Sequence, residues 1–233
     1  MGITMLFRLI KDIFFSRNST HAFRSPPRST KLIELAGSSD STLKVLNVGG
    51  NSKEIPIPGY YNGWEHLLLD IDPRGNPDIV CDARLLKDLP PAQFNAIYCS
   101  HNLEHYFRHD VTKVLAGFHH VLSDDGFVDI RVPDMGELIK LVAERKIDIE
   151  DFLYTSPAGP IHVIDVIYGL GREIEESGND FFAHKTGFTE KSLIARLRES
   201  GFETVFTSAS NLEVRAIASK SEPTDFMRKL LDQ

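Results

Sequence analysis

Cysteine is scarce in this sequence of 233 residues, which contains only Cys81 and Cys99. Two thiols cannot build the disulfide framework on which small secreted proteins depend. A run of about 18 apolar residues, the length that a membrane-spanning helix needs, is also missing. Arg8, Lys11 and Asp12 interrupt the apolar stretches near the N-terminus, and no small-residue cleavage site of a signal peptide follows them. We therefore expect a cytoplasmic protein.

Basic residues are fewer than acidic ones: the sequence has 26 lysines and arginines and 33 acidic residues, which gives a net charge of −7. A general nucleic-acid-binding protein would carry a basic face, so no nucleic-acid partner is expected. The content of 42% hydrophobic and 25% charged residues is that of a soluble globular protein. The length suits one medium-sized α/β domain with additions, or at most two small domains.

The N-terminal segment is more basic than the rest of the chain. Its apolar residues recur at roughly helical spacing, which predicts a short amphipathic helix. These residues are Leu6, Ile10, Ile13 and Phe14. Because cationic side chains beside an apolar stripe favour anionic interfaces, residues 1–16 are a candidate contact with a membrane surface or a partner. Alternatively, the helix packs on its own domain or frays. A polar tether and a second helix, over about residues 30–36, are predicted to follow.

Five short apolar runs come next, and each ends in small or polar residues. They cover residues 43–48, 64–70, 78–81, 94–99 and 127–132. Such nearly continuous apolar character is typical of strands that are covered on both faces by helices. Residues 110–122, between the fourth and fifth runs, place apolar side chains on one helical face. Alternating strands and helices predict a doubly wound, mostly parallel sheet.

The C-terminal third of the chain predicts one more helix and two more strands. The helix covers residues 189–200, with Thr189 as its N-cap and Gly201 as its C-terminal stop. The apolar or alternating runs over residues 203–208 and 212–218 are predicted to close the sheet as an antiparallel pair.

The ends of the first four strands carry residues suited to a nucleotide-like cofactor. In open α/β sheets, ligands bind outside the carboxyl ends of the strands, near the point where the strand order reverses. Small residues after the first strand let backbone amides approach a ligand closely. The Asp70 carboxylate can accept two hydrogen bonds from a ribose diol, and Asp82 is placed to orient an adenine amino group. The predicted cofactor-binding residues are Gly49, Gly50, Asn51, Asp70, Ile71, Asp82, Ala83, Ser100 and His101.

These strand ends resemble the core of class I S-adenosylmethionine-dependent methyltransferases, in particular the type 11 group of predicted methyltransferases. Residues 45–50 are similar to the glycine-rich motif of that family, residues 68–72 to its second-strand acidic motif, and residues 78–82 to its third motif. The segment 94–105 closely resembles its fourth-strand signature. The likeness covers roughly residues 43–219.

The resemblance implies a Rossmann-like, doubly wound sheet of seven mostly parallel strands in the order 3-2-1-4-5-7-6. It implies S-adenosylmethionine as the cofactor and methyl transfer to an oxygen or nitrogen acceptor on a small molecule, glycan or peptide. It divides the chain into an N-terminal helix and tether (1–30), a methyltransferase domain (31–219) and a C-terminal tail (220–233). A helical insertion on the substrate side is expected over residues 135–185.

Two features depart from the family pattern. The first loop reads Gly-Gly-Asn-Ser-Lys instead of Gly-x-Gly-x-Gly, so Lys53 and Glu54 stand near the expected site of the cofactor's methionine end. Pro56 and Pro58 leave little room for a helix, which predicts an abbreviated and mostly irregular first crossover. The abbreviated crossover resembles that of a small bacterial subgroup of the family, in which Pro-Gly and a tryptophan or similar residue precede the second strand.

The atypical loop keeps a second interpretation open. According to this second interpretation, the chain is a degenerate, non-catalytic protein that binds the cofactor or a partner without turnover. A dinucleotide- or nucleotide-sugar-dependent enzyme is disfavoured, because the G-x-G-x-x-G motif and its helix are missing.

Three histidines are candidate general bases, because imidazole titrates near neutral pH. They are His101, His105 and His184. The alternative for His105 is that, together with Glu104, it caps or packs the following helix. The spacing of His101 and His105 also suggests a metal, but the HExxH motif needs Glu directly after the first His and a supporting helix. No metal site is therefore predicted.

Acceptor specificity is expected in the irregular insertion over residues 135–185, which begins with a helical stretch to about residue 145. For each candidate taken alone, packing or surface solvation is the alternative. The candidates are Tyr154, His162, Tyr168, Arg172 and His184.

Overall fold

The structure is a computed structural model, and it describes residues 42–156 and 158–231. The amphipathic helix predicted within residues 1–16, the tether and the helix predicted over residues 30–36 lie outside the described residues. Within the described ranges, no helix is both long enough and apolar enough to cross a membrane.

The described chain contains nine strands, seven of which form a central sheet. They are β1 (Lys44–Val48), β2 (Glu65–Asp70), β3 (Ile79–Val80), β4 (Phe94–Ser100), β5 (Leu122–Pro133), β6 (Phe152–Ser156), β7 (Gly159–His162), β8 (Thr204–Ser210) and β9 (Glu213–Ser219). The order in the sheet is β3-β2-β1-β4-β5-β9-β8. Strands β1 to β5 pair in parallel, whereas β9 is antiparallel to both β5 and β8. Numbered within the sheet alone, this is the predicted order 3-2-1-4-5-7-6, including the antiparallel closing pair.

Six α-helices accompany the strands. They are α1 (Arg108–Val121), α2 (Met135–Arg145), α3 (Val163–Tyr168), α4 (Gly171–Ser177), α5 (Glu190–Glu199) and α6 (Asp225–Leu231). Helix α5 has the predicted termini. The Thr189 hydroxyl accepts a 3.2 Å hydrogen bond from the Ser192 amide, and Gly201 follows the helix with a left-handed φ of +96°.

One face of the sheet packs against α1 and α5. Side chains alternate between the two faces of a strand, and the register places Leu46, Ile97 and Val128 side by side on this face. Phe118 of α1 and Leu197 of α5 belong to the same cluster, and all five side chains are fully buried. This packing holds β4 and β5 in place. The segment 101–105, which contains His101 and His105, follows β4, and Arg131 lies near the carboxyl end of β5.

The opposite face is covered without a first-crossover helix. The link from β1 to β2 contains only a 3-10 turn at Gly59–Tyr61, as the two prolines predicted. Aromatic side chains fill the space: the rings of Tyr61 and Phe127 stack with their centroids 6.2 Å apart, and Trp64 lies against Phe226 of α6. Helix α6 therefore packs on the sheet, although it lies in the stretch 220–233 that the sequence analysis treats as a tail.

The insertion over residues 135–185 is not purely helical, which corrects that expectation. Strands β6 and β7 form a two-stranded antiparallel sheet of their own, followed by α3 and α4. Pro157, Gly159 and Pro160 concealed this hairpin, because they interrupt any alternating pattern in the sequence. Proline is tolerated in such a pair because Pro160 lies on a two-stranded edge, and Gly159 takes a φ of +110° at the turn. Leu153 and Ile161 of the hairpin pack on Leu138 of α2.

Candidate functional site

A cleft of about 1900 Å³ lies at the carboxyl ends of the parallel strands. It exceeds the roughly 300–1,000 Å³ of a single small-molecule pocket and has room for a cofactor and a second molecule. Eight of the nine predicted cofactor residues line it: Gly49, Gly50, Asn51, Asp70, Ile71, Asp82, Ser100 and His101. The ninth, Ala83, is only 1% exposed and belongs to the core that packs under α1. The structure does not bring Ala83 to the cleft, because its side chain points into that core.

The loop after β1 is held by the carboxylate that ends β2. Gly49 and Asn51 adopt left-handed φ values of +73° and +60°. Asp70 accepts a 2.9 Å hydrogen bond from the Asn51 amide and another of 2.9 Å from the Asp72 amide. Burial raises the pKa of the Asp70 carboxyl, and these amides oppose the rise. Since each carboxylate oxygen has a second lone pair, Asp70 can still accept hydrogen bonds from a ligand.

The two bulky residues of the loop have different positions. The Lys53 ammonium donates a 2.7 Å hydrogen bond to Asp78, and Lys53 does not line the cleft, whereas Glu54 does. Lys53, which departs from the family pattern, is therefore directed to an ion pair outside the cleft.

An Asp-x-Arg turn follows both β2 and β3. Arg74 Nε lies 2.7 Å from an Asp72 oxygen, and Arg84 Nε lies 2.9 Å from an Asp82 oxygen. Arg84 Nη1 also lies 3.3 Å from the buried Asp110 of α1. A ligand amino group at Asp82 would share the carboxylate with Arg84. Neither arginine was predicted from the sequence, although the Asp-x-Arg spacing recurs there after two predicted strands.

His101, at the end of β4, lies between two carboxylates. Its Nε2 is 3.0 Å from Glu213 and its Nδ1 is 3.5 Å from Glu104. Burial lowers the pKa of His101, but the two carboxylates outweigh this effect and raise the pKa to about 10. An imidazole that is protonated at neutral pH is a poor proton acceptor, so His101 is the weakest of the three candidate bases.

His105 and His184 lie edge to face, with their ring centroids 4.9 Å apart. His184 Nδ1 is 2.9 Å from the Val166 carbonyl, and His105 Nδ1 is 3.3 Å from the Ala183 carbonyl. Burial lowers the pKa of His184. Both rings line the cleft, so the structure brings together two histidines that are far apart in the sequence.

Backbone hydrogen bonds hold the His184 segment beside the segment after β4. The Glu104 carbonyl accepts hydrogen bonds from the amides of Lys185 and Thr186, at 2.7 and 3.1 Å. The side chain of Glu104, which sequence reasoning treated only as packing or capping, is 1% exposed and also lines the cleft. Its position between His101 and His105 in the motif was the available signal.

Of the five acceptor candidates, Tyr154 and His184 line the cleft, and the other three do not. His162 caps α3, where its amide donates a 2.9 Å hydrogen bond to Asp165. Arg172 donates to the Ala158 carbonyl, and Tyr168 is 58% exposed. Only two of the five predicted acceptor-binding residues therefore line the cleft.

The strand order and the cleft at the switch point are those predicted for a class I methyltransferase fold, and the abbreviated first crossover is the predicted departure from the family pattern. Solved structures of SAM-dependent methyltransferases are similar to this fold. A SAM-dependent methyltransferase from Methanosarcina mazei is 16% identical, matches 78% of this chain and 95% of its own, and has a TM-score of 0.49. One from Archaeoglobus fulgidus is 16% identical, over 76% of this chain and 86% of its own, with a TM-score of 0.47.

A third similar structure is the 1,6-didemethyltoxoflavin-N1-methyltransferase of Burkholderia thailandensis with bound S-adenosylhomocysteine. It is 18% identical, over 78% of this chain and 72% of its own, with a TM-score of 0.45. At these values the similarities carry no conclusion about activity, and the fold is defined by the strand order. No family model matches the sequence. No curated protein matches it either.

Proposed function

We propose that this protein binds S-adenosylmethionine in the cleft and transfers the methyl group to an oxygen or nitrogen acceptor on a small molecule, glycan or peptide. One observation carries the proposal. The glycine turn after β1, Asp70 at the end of β2 and Asp82 after β3 line a single cleft at the switch point of a sheet with this strand order.

The residues present fit this cofactor. A β-carbon at Gly50 would lie 2.1 Å from the side chain of Asn47, and one at Gly49 would lie 2.1 Å from Asn102. A side chain at either position would displace these asparagines, so glycine lets the loop pack closely on them while both glycines line the cleft. Asp70 would hold the ribose hydroxyls, and Asp82 with Arg84 would hold the adenine side.

Bound S-adenosylmethionine supplies an electrophilic methyl group, and the electron pair of the breaking carbon–sulfur bond stays on sulfur. The chain's own task is to align the acceptor and to exclude water. The Val166 carbonyl can only accept, so Nδ1 of His184 carries the proton and its Nε2 can take a proton from an acceptor hydroxyl. An amine acceptor needs this help less.

Isothermal titration with S-adenosylhomocysteine tests cofactor binding. We expect saturable binding by the wild type and at least ~10-fold weaker binding by Asp70→Asn, because the amide loses the charge that favours hydrogen bonds from a ribose. Asp125→Asn is the matched control, since Asp125 is exposed and lies outside the cleft. Absence of binding at millimolar cofactor would overturn the proposal. Equal affinity of the wild type and Asp70→Asn would show that the ribose contact is wrongly placed.

A further inference from the structure

We propose that Glu104, His105 and His184 form a binding site for a divalent transition-metal cation in the cleft. One ligand atom from each of the three side chains lies within 4.8 Å of those of the other two. The site is built from two separate segments, the turn after β4 and the segment before α5.

The Glu104 carboxylate is the first reason for a cation. It is 1% exposed, and neither of its oxygens has a hydrogen-bond partner among the residues that the structure describes. The nearest cationic group is His101, whose Nδ1 is 3.5 Å away and which also pairs with Glu213. An ionised carboxylate that is buried without hydrogen bonds is costly. A cation bound between Glu104 and the two imidazoles would remove that cost.

The orientation of the two imidazoles is the second and independent reason. In each ring Nδ1 lies next to a backbone carbonyl, that of Ala183 for His105 and that of Val166 for His184. A carbonyl only accepts, so each Nδ1 carries hydrogen, and in the neutral imidazole each Nε2 then has the lone pair that a metal can bind. Metal-binding histidines show this arrangement, in which the second nitrogen donates to a carbonyl or carboxylate and fixes the ring.

The chemistry of the three ligands selects the class of metal. Two imidazoles and one carboxylate suit Zn²⁺, Fe²⁺, Co²⁺ or Mn²⁺, and leave coordination positions open. Bonds of about 2.1 Å place ligand atoms about 3.0–3.5 Å apart, so binding requires side-chain rotations that bring the three groups closer. The HExxH motif could not predict this site, because His184 lies far from His101 and His105 in the sequence.

The role of the metal rests on the proposed function. An open coordination position would bind the acceptor oxygen and lower the pKa of its hydroxyl, as metals do for bound water, and the released proton would pass to water in the cleft. In that state His105 and His184 act as ligands and the metal replaces the imidazole base. Metal binding itself requires no cofactor and can be measured without one.

The test uses the full chain without an affinity tag, freed of metal with a chelator. Titration with Co²⁺ is followed by visible absorption, and titration with Zn²⁺ by calorimetry. We expect one equivalent to bind to the wild type and at least ~10-fold weaker binding to Glu104→Gln and His184→Ala. His109→Ala is the matched control, because the side chain of His109 is 73% exposed and does not line the cleft. It should bind Co²⁺ like the wild type.

A second readout separates binding from misfolding. Zn²⁺ should raise the melting temperature of the wild type and of His109→Ala, but not that of Glu104→Gln. The melting curve of Glu104→Gln without metal gives the temperature below which this variant is folded, and its Co²⁺ titration is carried out there. The proposal is overturned if the wild type shows no saturable Co²⁺ binding, or if both site variants bind as it does. Metal binding without binding of S-adenosylhomocysteine would instead refute the proposed function and retain the metal site.

Discussion

Arg215 on β9 donates two 3.0 Å hydrogen bonds to the two carboxylate oxygens of Asp129 on the neighbouring strand β5. Asp129 is completely buried, and the Tyr60 hydroxyl donates to the same carboxylate. Tyr60 lies in the abbreviated crossover, so this cluster attaches the irregular link between β1 and β2 to the centre of the sheet.

Replacing Arg215 with methionine should lower the free energy of unfolding by about 3–5 kcal/mol, because the Asp129 charge would stay buried without its main partner. Urea denaturation followed by fluorescence of Trp64, the only tryptophan, measures the change. Arg198→Met is the matched control, since Arg198 is exposed on α5 and should change stability by no more than about 0.5 kcal/mol. Equal urea midpoints for the wild type and Arg215→Met would contradict the role given to this pair.

The packing of α6 makes a second prediction. Met227 is fully buried in the cluster with Tyr61 and Phe127, and Trp64 packs against that cluster. Met227→Ala should therefore cost about 2–5 kcal/mol and shift the emission of Trp64 to longer wavelength. Lys229→Ala, at an exposed position of the same helix, should leave both unchanged. If Met227→Ala behaves like Lys229→Ala, α6 contributes nothing to the fold.

The sheet could be predicted from the sequence because its strands are apolar runs that end abruptly in polar residues. Strand β5 begins at Leu122 instead of Phe127, since Leu122 pairs with Phe94 across the sheet. Asp124 and Asp125 disfavour a strand locally, so only this tertiary pairing reveals the earlier start. The hairpin β6–β7 was missed because prolines and glycines interrupt any alternating pattern there.

The residues of the candidate site also fall into two groups, those that the sequence could predict and those that required the structure. The sequence could predict that Asp70 and Asp82 line the cleft, because each lies at or just after the end of its own strand and the topology brings strand ends together. The contact between Glu104 and the His184 segment depends on the hydrogen bonds that Lys185 and Thr186 donate to the Glu104 carbonyl. A backbone pairing between segments so far apart leaves no periodicity in the sequence. The grouping of Glu104 with two histidines therefore required the structure.

Lys53, which departs from the glycine-rich motif, should be dispensable for cofactor binding. Its side chain is 44% exposed and pairs with Asp78 away from the cleft. Lys53→Ala should leave the affinity for S-adenosylhomocysteine within about two-fold of the wild type. It should cost at most about 1 kcal/mol of stability, because exposed ion pairs are weak. A ten-fold loss of affinity in calorimetry would show that Lys53 turns toward the cofactor.

The loop after β2 makes the last prediction, because Gly75 lies directly against the loop after β1. A β-carbon at Gly75 would lie 1.6 Å from the backbone oxygen of Asn51. Neither backbone can yield without separating the two loops, and both line the cleft. Gly75→Ala should therefore weaken S-adenosylhomocysteine binding at least ~10-fold and cost about 1–3 kcal/mol of stability.

Gly59→Ala is the matched control for that substitution, because a β-carbon at Gly59 would lie no closer than 3.7 Å to the side chain of Asn62. Alanine should be neutral or slightly stabilising there, since it restricts the unfolded chain. The two variants are compared by calorimetry at a temperature where urea titration shows both to be folded. Wild-type affinity in Gly75→Ala would mean that the ligand does not depend on the contact between these loops, and the cofactor would have to be placed elsewhere in the cleft.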